Sequence, residues 1–341
     1  MSKNPVLAVV GATGAVGKEM ISILEERDFP AQEIIPLASA RSAGSKIPYK
    51  GGELTVQELT QDSFQGIDMA VFSAGGATSE KFAPIAARSG CVVVDNSSAW
   101  RMDPQVPLVV PEVNPGDLEW HQGIIANPNC STIQMVVALK PLHDVSRIQR
   151  VVVSTYQAVS GSGQEAVQEL ETQVTQLFNM EELTVSAYPY QIAFNCLPHL
   201  DDFLDSGYTK EEMKMVNETV KIMGDDSIKV SATTVRVPVF YGHSESLNVQ
   251  TESKISRDEA RAILSQAPGI KVLDNPQEKI YPMPIFAAGQ DDTFVGRIRE
   301  DTSTDNALDM WVVADNIRKG AALNTIQIAE YLLVKDLVRV P

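Results

Sequence analysis

One cysteine of this sequence lies where a thiol could act as a nucleophile. Cys130 follows Asn127-Pro128-Asn129 and precedes an apolar helical pattern that begins at Ile133. Pro128 disfavours helix at the residue before it, and Asn129 is of a type that caps helices, so Cys130 is predicted in the first helical turn. The dipole and unpaired N–H groups there stabilise a thiolate. A nucleophilic cysteine and a buried structural one fit this stretch about equally well.

An arginine and a histidine could work beside such a thiol. Arg236 lies in a predicted strand, and His243 follows in a glycine-containing loop. Arginine binds a carboxylate through two parallel hydrogen bonds, while histidine can act at the reacting end of the same substrate. An unrelated surface arginine and histidine are the alternative. The other histidines, in less informative contexts, are His121, His143 and His199.

A glycine-rich loop near the N-terminus could hold a dinucleotide. The apolar run 6–10 predicts a strand buried on both faces, Gly11 to Gly17 form the loop, and a helical pattern follows from Lys18 to about Arg27. In this context the backbone can approach a pyrophosphate at the helix N-terminus. The G-x-x-G-x-x-G spacing is a weaker match than G-x-G-x-x-G, so a tight turn without a ligand is the alternative.

The segment after the next strand bears on the choice of dinucleotide. An NAD enzyme commonly has Asp or Glu there, whereas this chain has Ser39-Ala40-Arg41-Ser42 after the predicted strand 34–38. A guanidinium and hydroxyls suit a 2′-phosphate, so the sequence favours NADP over NAD. A solvated loop residue is the alternative for Arg41.

Composition limits the classes of partner. The net charge of −16, from 44 acidic and 28 basic residues, argues against nucleic acid and anionic membranes but allows a small anionic ligand. The apolar runs are strand-length, so no membrane span is expected, and the N-terminus leads into a strand rather than a signal peptide. The three cysteines, Cys91, Cys130 and Cys196, are an odd number without metal-ligand spacing. We therefore expect a reduced, cytoplasmic protein without a metal site.

Hydrophobic periodicity predicts a change of architecture near Cys130. Before it, strands are predicted at 34–38, 68–74, 91–95 and 123–126, with a helix at 79–89. Arg101 follows one of these strand ends and is a candidate anion contact. After it, strands at 151–159, 229–237, 247–253, 294–298 and 308–314 and helices at 164–179 and 209–223 lack strict alternation, which favours an α+β domain. A last helix is predicted from Asn316 to about residue 334.

Six stretches, in this order along the chain, resemble the aspartate-β-semialdehyde dehydrogenase family, and its shorter branch in particular. They are Gly11–Gly17, Asp95–Arg101, Asn127–Thr132, Tyr156–Gly161, Arg236–Val239 and Gly242–Glu245. The resemblance covers essentially the whole chain and departs at no catalytic position. It implies an α/β protein with a Rossmann-type NADP-binding domain, residues 1–129 and 316–341, to which the C-terminal helix returns. Residues 130–315 would be an α+β catalytic and dimerisation domain, and the protein a homodimer.

The resemblance implies NADPH-dependent reductive dephosphorylation of L-aspartyl-4-phosphate to aspartate semialdehyde and phosphate, in lysine, methionine, threonine and isoleucine biosynthesis. Cys130 would form the thioester, His243 would be the general acid/base, and Gln157 would orient the acyl group. Arg236 would bind the α-carboxylate and Glu211 the amino group of the substrate. Arg101 and Lys214 would bind phosphate, although a solvated helix pair is the alternative for Glu211 and Lys214. Implied cofactor contacts are Gly11, Thr13, Gly14, Ala15, Val16, Arg41, Ser42, Ser160, Gly161 and Asn316.

Two other functions remain open at the level of sequence. One is a different acyl-phosphate reductase of the same fold, with a longer or acylated substrate. The other is a non-catalytic NADP-binding sensor, against which the joint presence of Cys130, Gln157, Arg236 and His243 argues.

Overall fold

The chain divides into two structural units. The computed structural model describes residues 4–340. One unit is Met1–Asn129 with Ala321–Pro341, and the other is Cys130–Gly320. The assignment of NADP binding to the first and of catalysis to the second stays a prediction.

Continuous apolar runs form the sheet of the first unit, because parallel strands are buried on both faces. The strands described in this unit are β1 Val6–Val10, β2 Glu33–Ala38, β3 Lys46–Tyr49, β4 Gly52–Thr55, β5 Gln57–Glu58, β6 Met69–Phe72, β7 Val92–Asp95 and β8 Ile124–Ala126. Six of them form a parallel sheet in the order β5-β2-β1-β6-β7-β8, and β3 and β4 form a hairpin. Numbered along the chain without the hairpin, these six strands follow the order 3-2-1-4-5-6 of a complete Rossmann-type sheet.

Helices α1 Ala15–Glu26, α2 Gly76–Arg88 and α8 Leu323–Val334 pack around this sheet. Ile23 and Leu24 of α1 and Ile326 and Leu332 of α8 share one core with strand residues such as Val9. Helix α8 is therefore part of the first unit. It begins at Leu323, so the predicted helix start at Asn316 was wrong.

The second unit contains the longer strands and the remaining helices. In the described chain these are helices α3 Cys130–Val145, α4 Gln164–Asn179, α5 Lys210–Met223, α6 Arg257–Gln266 and α7 Pro284–Ala287. The strands are β9 Ile148–Gln157, β10 Lys229–Arg236, β11 His243–Thr251, β12 Ile270–Val272, β13 Thr293–Glu300 and β14 Ala307–Ala314. They form a six-stranded sheet in the order β10-β9-β11-β14-β13-β12. Strand β9 pairs parallel with β10 and antiparallel with β11, so the sheet is mixed.

Alternation along the strands separates two faces of this sheet. Val151 and Val153 of β9 point into a core that they share with α3, α5 and α6 residues. On the other face, the residues in the middle of β9, β11 and β14 are only half-buried or exposed. We call the central part of that face the open sheet face; it comprises Tyr156, Ser246, Asn248, Asp309 and Trp311.

Strand register brings distant residues to one end of the second sheet. Arg236 at the end of β10 pairs with Gln157 at the end of β9. His243 at the start of β11 pairs with Ala314 at the end of β14. Residues about 80 positions apart therefore meet at the same sheet end, which is where the candidate site lies. In the described residues, no helix combines the length and the apolar character that crossing a membrane requires.

Candidate active site

Cys130 is the first residue of α3, which confirms its predicted place in the first helical turn. A Cβ atom added to Gly320 would lie 2.8 Å from the Cys130 Cβ, so the chain passes the cysteine at a distance that only glycine allows. The Gly320 N–H donates to the Asp315 carbonyl at 3.0 Å, and residues Arg318–Ala322 form a π-helical turn. Such turns occur frequently at functional sites, and this one replaces the regular helix predicted from Asn316.

The other two cysteines lie in different environments. Cys91 is fully buried, and burial raises the pKa of its thiol far above the ordinary value. Cys91 is part of the hydrophobic core. Cys196 is exposed, and all three cysteines are present as thiols.

His243 is fully buried at the start of β11. The Ala158 N–H donates a hydrogen bond of 3.0 Å to its Nδ1. Its Nε2 has no hydrogen-bond partner in the described chain. Burial, aided by the positive charge of Arg236, holds the pKa of this imidazole well below its usual value.

Arg236 is buried at the end of β10, with 7% of its surface exposed. Its Nη1–H donates to the Ala158 carbonyl at 2.6 Å, while its Nε has no hydrogen-bond partner. Over residues 4–340 no carboxylate lies within ion-pair distance of this guanidinium. A buried cation without a counter-ion is costly, so the geometry fits an anionic ligand.

The turn Val159–Ser162 lies over both of these side chains. A Cβ atom added to Gly161 would lie 3.0 Å from Arg236 Nη1 and 3.2 Å from His243 Nε2. The neighbouring Ser160 hydrogen-bonds Asn316 at 3.0 Å, and Asn316 Oδ1 accepts from the Gly242 N–H at 2.9 Å. The structure thus brings together Ser160, Gly161 and Asn316, three of the cofactor contacts that the resemblance implied. Asn316 lies before the π-helical turn and not at the start of an α-helix.

Gln157 is joined to a pair of charged residues on α5. Its Nε2 donates to Glu211 at 3.3 Å, and Lys214 Nζ lies 3.1 Å from the other Glu211 oxygen and 2.7 Å from Asp201. Glu211 is buried, so the solvated alternative does not fit. Burial alone would lower the pKa of Lys214, but Glu211 and Asp201 raise it above the ordinary value and keep the cation. No sequence signal had pointed to Asp201.

The N-terminal glycine loop has two positions where only glycine fits, and it leads into a helix whose N-terminus has no side-chain cap. Gly11 has φ +84°, and a Cβ there would lie 2.2 Å from the Ser73 carbonyl oxygen; a Cβ at Gly17 would lie 2.2 Å from the Gly11 oxygen. Gly14 faces no such contact. It precedes α1, whose first turn has neither a side-chain cap nor an acidic residue. An uncapped N-terminus beside Thr13, Gly14, Ala15 and Val16 fits a pyrophosphate.

The residues predicted to select the dinucleotide form a short 3₁₀ turn after β2, Ala40–Ser42. Arg41 is exposed, and no ion pair involves it among residues 4–340. It is therefore available to an external anion.

Arg101 is buried within the first unit and has backbone partners. Its Nε donates to the Asn127 carbonyl at 2.9 Å and its Nη2 to the Asn96 carbonyl at 3.1 Å. These bonds fix the guanidinium at the ends of β7 and β8. A phosphate contact by Arg101 stays a prediction.

The structure places the predicted site residues in two groups. Arg101, Arg41, Ser42 and the glycine loop belong to the first unit, and Cys130, Gln157, Glu211, Lys214, Arg236 and His243 to the second. The sequence missed the part played by Ala158, because a contact made by backbone N–H and C=O leaves no side-chain signature. Among the residues described, no group of three or more His, Cys, Asp or Glu side chains could hold a metal ion.

A dinucleotide-type first unit and a second unit with a helix-terminal cysteine and a buried arginine are the features of the semialdehyde dehydrogenase class. Residues 6–121 match the family model for the semialdehyde dehydrogenase NAD binding domain, and residues 139–319 match that for its dimerisation domain. The chain belongs to the aspartate-semialdehyde dehydrogenase family, which confirms the resemblance and the predicted fold class.

Named relatives cover nearly the whole chain. The aspartate-semialdehyde dehydrogenase of Aquifex aeolicus is 59% identical over 97% of this chain and 99% of the relative. That of Bacillus subtilis is 51% identical over 99% and 100%. The crystal structure of aspartate semialdehyde dehydrogenase II from Vibrio cholerae complexed with ASA is 48% identical, with a TM-score of 0.95 over 98% of this chain and 99% of that one. A Candida albicans aspartate semialdehyde dehydrogenase solved with NADP is 27% identical, with a TM-score of 0.77 over 98% and 99%.

Proposed function

We propose that this protein reduces L-aspartyl-4-phosphate to L-aspartate 4-semialdehyde with NADPH and releases phosphate, a step in lysine, methionine, threonine and isoleucine biosynthesis. The observation that carries the proposal is the buried Arg236 guanidinium without a counter-ion, which lies with His243 against Gly161. A substrate carboxylate would supply the missing charge through two parallel hydrogen bonds.

The surroundings of Arg236 fit an amino acid rather than a simple acid. Gln157 pairs with Arg236 along the strands and donates a hydrogen bond to Glu211. Gln157 therefore links the Arg236 strand end to the Glu211 carboxylate. Glu211 can accept an α-ammonium group beside the α-carboxylate. Lys214 and Arg101 are our candidates for the phosphate, and both are held by charged or backbone partners before any ligand binds.

Cys130 is the proposed acyl acceptor, because the N-terminus of α3 stabilises the thiolate that attacks the acyl phosphate. Attack forms the carbon–sulfur bond, and departure of phosphate leaves a thioester. NADPH supplies, when bound, the hydride that reduces the thioester. Gln157 orients the acyl group, and His243 acts at its oxygen. Collapse of the resulting thiohemiacetal releases the aldehyde and restores the cysteine.

The chain's own residues fit the dinucleotide. Gly11, Thr13, Gly14, Ala15 and Val16 would hold the pyrophosphate at the start of α1, since that helix end is uncapped. Arg41 and Ser42 would hold the 2′-phosphate. Ser160, Gly161 and Asn316 would contact the remaining part of the cofactor. We further propose a cytoplasmic homodimer, in accord with reduced thiols and the dimerisation-domain match.

The proposal is tested in the reverse direction, as phosphate-dependent reduction of NADP. We expect turnover with aspartate semialdehyde and little with N-acetylglutamate semialdehyde, which separates this function from that of a reductase for acylated substrates. Preference for the acetylated substrate would contradict the proposal.

Cys130→Ala tests the covalent route. Because the variant lacks the acyl acceptor, we expect turnover to be lost while NADPH binding, measured by fluorescence, is kept. Cys196→Ala, at an exposed thiol, is the matched control and should retain wild-type rates. Substantial activity in Cys130→Ala would contradict the mechanism, and a wild-type protein that binds NADPH without turning over either aldehyde would indicate the sensor function.

A further inference from the structure

We propose that Asp201 competes with phosphate for Lys214. The Asp201 carboxylate binds the ammonium of Lys214 before any ligand is present, turns toward solvent when phosphate binds, and returns when phosphate leaves. The inference rests on the proposed function, in which Lys214 is a candidate phosphate contact. It adds to the site a residue that sets the affinity for this anion.

Lys214, on α5, lies between two carboxylates. Its Nζ donates to Asp201 Oδ2 at 2.7 Å and to Glu211 Oε2 at 3.1 Å. Burial alone would raise the pKa of Asp201, but hydrogen bonds from Lys214 and from the Asp202 N–H lower it below the ordinary value, so this carboxyl is ionised at neutral pH. Two carboxylates therefore face one ammonium, and the group has a net negative charge that repels a phosphate dianion.

Of the two carboxylates, that of Asp201 is the one that can leave. The Glu211 side chain is only 10% exposed, and it accepts a second hydrogen bond, from Gln157 at 3.3 Å. The Asp201 side chain is 33% exposed, so its carboxylate can turn into water, where the charge is solvated. Phosphate would therefore replace Asp201 and leave the pair of Lys214 with Glu211 in place.

The backbone around Asp201 is fixed, so the exchange needs only a rotation of its side chain. Before it in the chain, Leu197 and Arg236 exchange N–H···O bonds of 2.9 and 2.8 Å, and after it Phe203 and Thr209 form a second antiparallel bridge. Asp201 itself has φ +66°, a left-handed conformation that aspartate tolerates better than most residues. The carboxylate thus stays within reach of the ammonium and can return each time the anion departs.

The ammonium can bind the anion before it releases Asp201. A lysine ammonium has three N–H donors, and Asp201 and Glu211 accept from two of them. A phosphate oxygen can accept from the third, and repulsion between the two anions then favours departure of the Asp201 carboxylate. Return of the carboxylate reverses these steps. In the direction of reduction, Asp201 therefore assists the release of phosphate from Lys214.

Asp201→Asn tests the competition in phosphate-dependent reduction of NADP with saturating aspartate semialdehyde. The amide keeps the size of the side chain but not its charge, so we expect KM for phosphate to fall about 3- to 10-fold, while KM for aspartate semialdehyde stays at its wild-type value. Asp202→Asn is the matched control, because Asp202 pairs with the neighbouring Lys210 at the same 2.7 Å, and it should leave both constants unchanged. An unchanged or higher KM for phosphate in Asp201→Asn overturns the inference.

A double-mutant cycle tests whether Lys214 carries the effect. Lys214→Met keeps a long unbranched stem and removes the ammonium, so we expect KM for phosphate to rise about 10-fold or more. In this background Asp201→Asn should no longer lower KM for phosphate, because no ammonium remains to compete for. The same fall in KM as in the wild-type background would show a general charge effect and contradict the inference.

Sulfate separates affinity for the anion from its chemistry, and this measurement needs only Asp201→Asn. Sulfate has the shape and charge of phosphate, so we expect it to inhibit competitively against phosphate, with a Ki that falls in Asp201→Asn by the same factor as KM. An unchanged Ki, or no inhibition of Asp201→Asn, contradicts the inference. This result decides the matter if Lys214→Met does not fold.

The proposed function and this inference can fail separately. A wild-type protein that does not reduce NADP with aspartate semialdehyde and phosphate contradicts the proposed function. A wild-type protein that does so, with KM for phosphate unchanged in Lys214→Met or in Asp201→Asn, contradicts the competition alone.

Discussion

At the scale of single residues, the site is defined by buried polar atoms that lack partners. Arg236 Nε and His243 Nε2 are such atoms, and both side chains approach Gly161. Unsatisfied buried donors cost about 1–3 kcal/mol each, so a ligand that satisfies both recovers this free energy on binding. The cost of preorganisation is thus present in the folded protein before any substrate binds.

Arg236→Lys tests the planar fork at the proposed carboxylate site. Lysine keeps the charge but offers a point donor, so we expect kcat/KM for aspartate semialdehyde to fall roughly 10- to 100-fold. Steady-state kinetics are the measurement. Arg257→Lys, the same exchange at an exposed position, should leave kcat/KM unchanged. A near-wild-type value for Arg236→Lys would remove this residue from carboxylate binding.

Glu245 makes the stability of the protein depend on pH. Its two carboxyl oxygens are buried and have no hydrogen-bond partner of ordinary geometry. Burial raises the pKa of this carboxyl, and the nearby Gln134 side chain opposes the shift without cancelling it. Because burial raises the pKa in the folded state, only the unfolded chain gives up this proton above about pH 4.3. The contribution of Glu245 to stability is therefore full below that pH and is lost as pH rises toward the folded-state pKa.

Glu245→Gln removes this dependence. We expect the variant to gain stability relative to wild type as pH rises from 5 to 8, by up to about 1.4 kcal/mol for each pH unit below the folded-state pKa. Urea unfolding at several pH values measures the difference, with exposed Glu182→Gln as the control. A difference that stays constant with pH would mean that Glu245 is ionised in the folded protein.

The sequence predicted which residues form the site better than it predicted their burial and ionisation. Cys130 could be placed at a helix start because Pro128 and Asn129 act locally. The lowered pKa of His243 could not be predicted, because it depends on burial by the sheet and on the charge of Arg236 in a neighbouring element. The charge pair of Glu211 and Lys214 was visible as a helix spacing, but its burial was not.

At the scale of elements, a charged cluster joins the ends of two helices. Arg147, just after α3, donates twice to Asp225, just after α5, at 2.7 Å each, and Ser227 donates to the same carboxylate from N–H and hydroxyl. These bonds hold the pKa of Asp225 far below its usual value. Since α3 begins with Cys130, this cluster fixes the opposite end of the helix that presents the thiol.

Asp225→Asn tests this helix anchor. A group whose folded-state pKa is depressed stabilises the protein above its unfolded pKa of about 3.9 and loses that contribution as pH falls toward the folded-state value. We expect the variant to be about 1–2 kcal/mol less stable than wild type at pH 7 and the difference to shrink below about pH 4. Urea unfolding is the measurement, and exposed Asp226→Asn is the neighbouring control. A difference that does not change with pH would contradict the role of the carboxylate charge.

Helix boundaries were predicted well where local sequence signals, such as capping residues, determine them. The helix 164–179 was predicted with the bounds that the structure has, and Thr209 caps α5 through a capping box with Glu212. The last helix was predicted to start too early because its apolar spacing continues through the π-helical turn. That turn exists because Gly320 must pass close to Cys130, which is a tertiary requirement and is not visible in local periodicity.

At the scale of the whole molecule, the open sheet face is the proposed contact between two copies of the chain. Tyr156 and Trp311 pack there with ring centroids 5.2 Å apart, and Tyr156 keeps 39% of its surface exposed. A half-exposed face on the central strands of a sheet is typical of a surface that a partner covers. Its location within the segment that matches a dimerisation domain supports this assignment.

Ser246→Arg tests the dimer. Ser246 lies in the middle of β11 on the open sheet face, so burying a guanidinium there should weaken dimerisation by about 100-fold or more. Sedimentation equilibrium is the measurement. Ala262→Arg, at an exposed position on α6, introduces the same side chain elsewhere and should leave the dimer intact. An unchanged dimer in Ser246→Arg would place the interface on another surface.

In the first unit, the residues that packing requires differ from those proposed to select the cofactor. Gly11 and Gly17 leave no room for a Cβ atom, so they are retained by packing whatever dinucleotide is bound. Arg41 is exposed on a short turn and has no partner that its replacement would disturb among residues 4–340. On the proposal that Arg41 and Ser42 hold the 2′-phosphate, substitutions in this turn should alter discrimination between the two dinucleotides without destabilising the sheet. The choice of reductant would then be free to evolve separately from the fold that holds it.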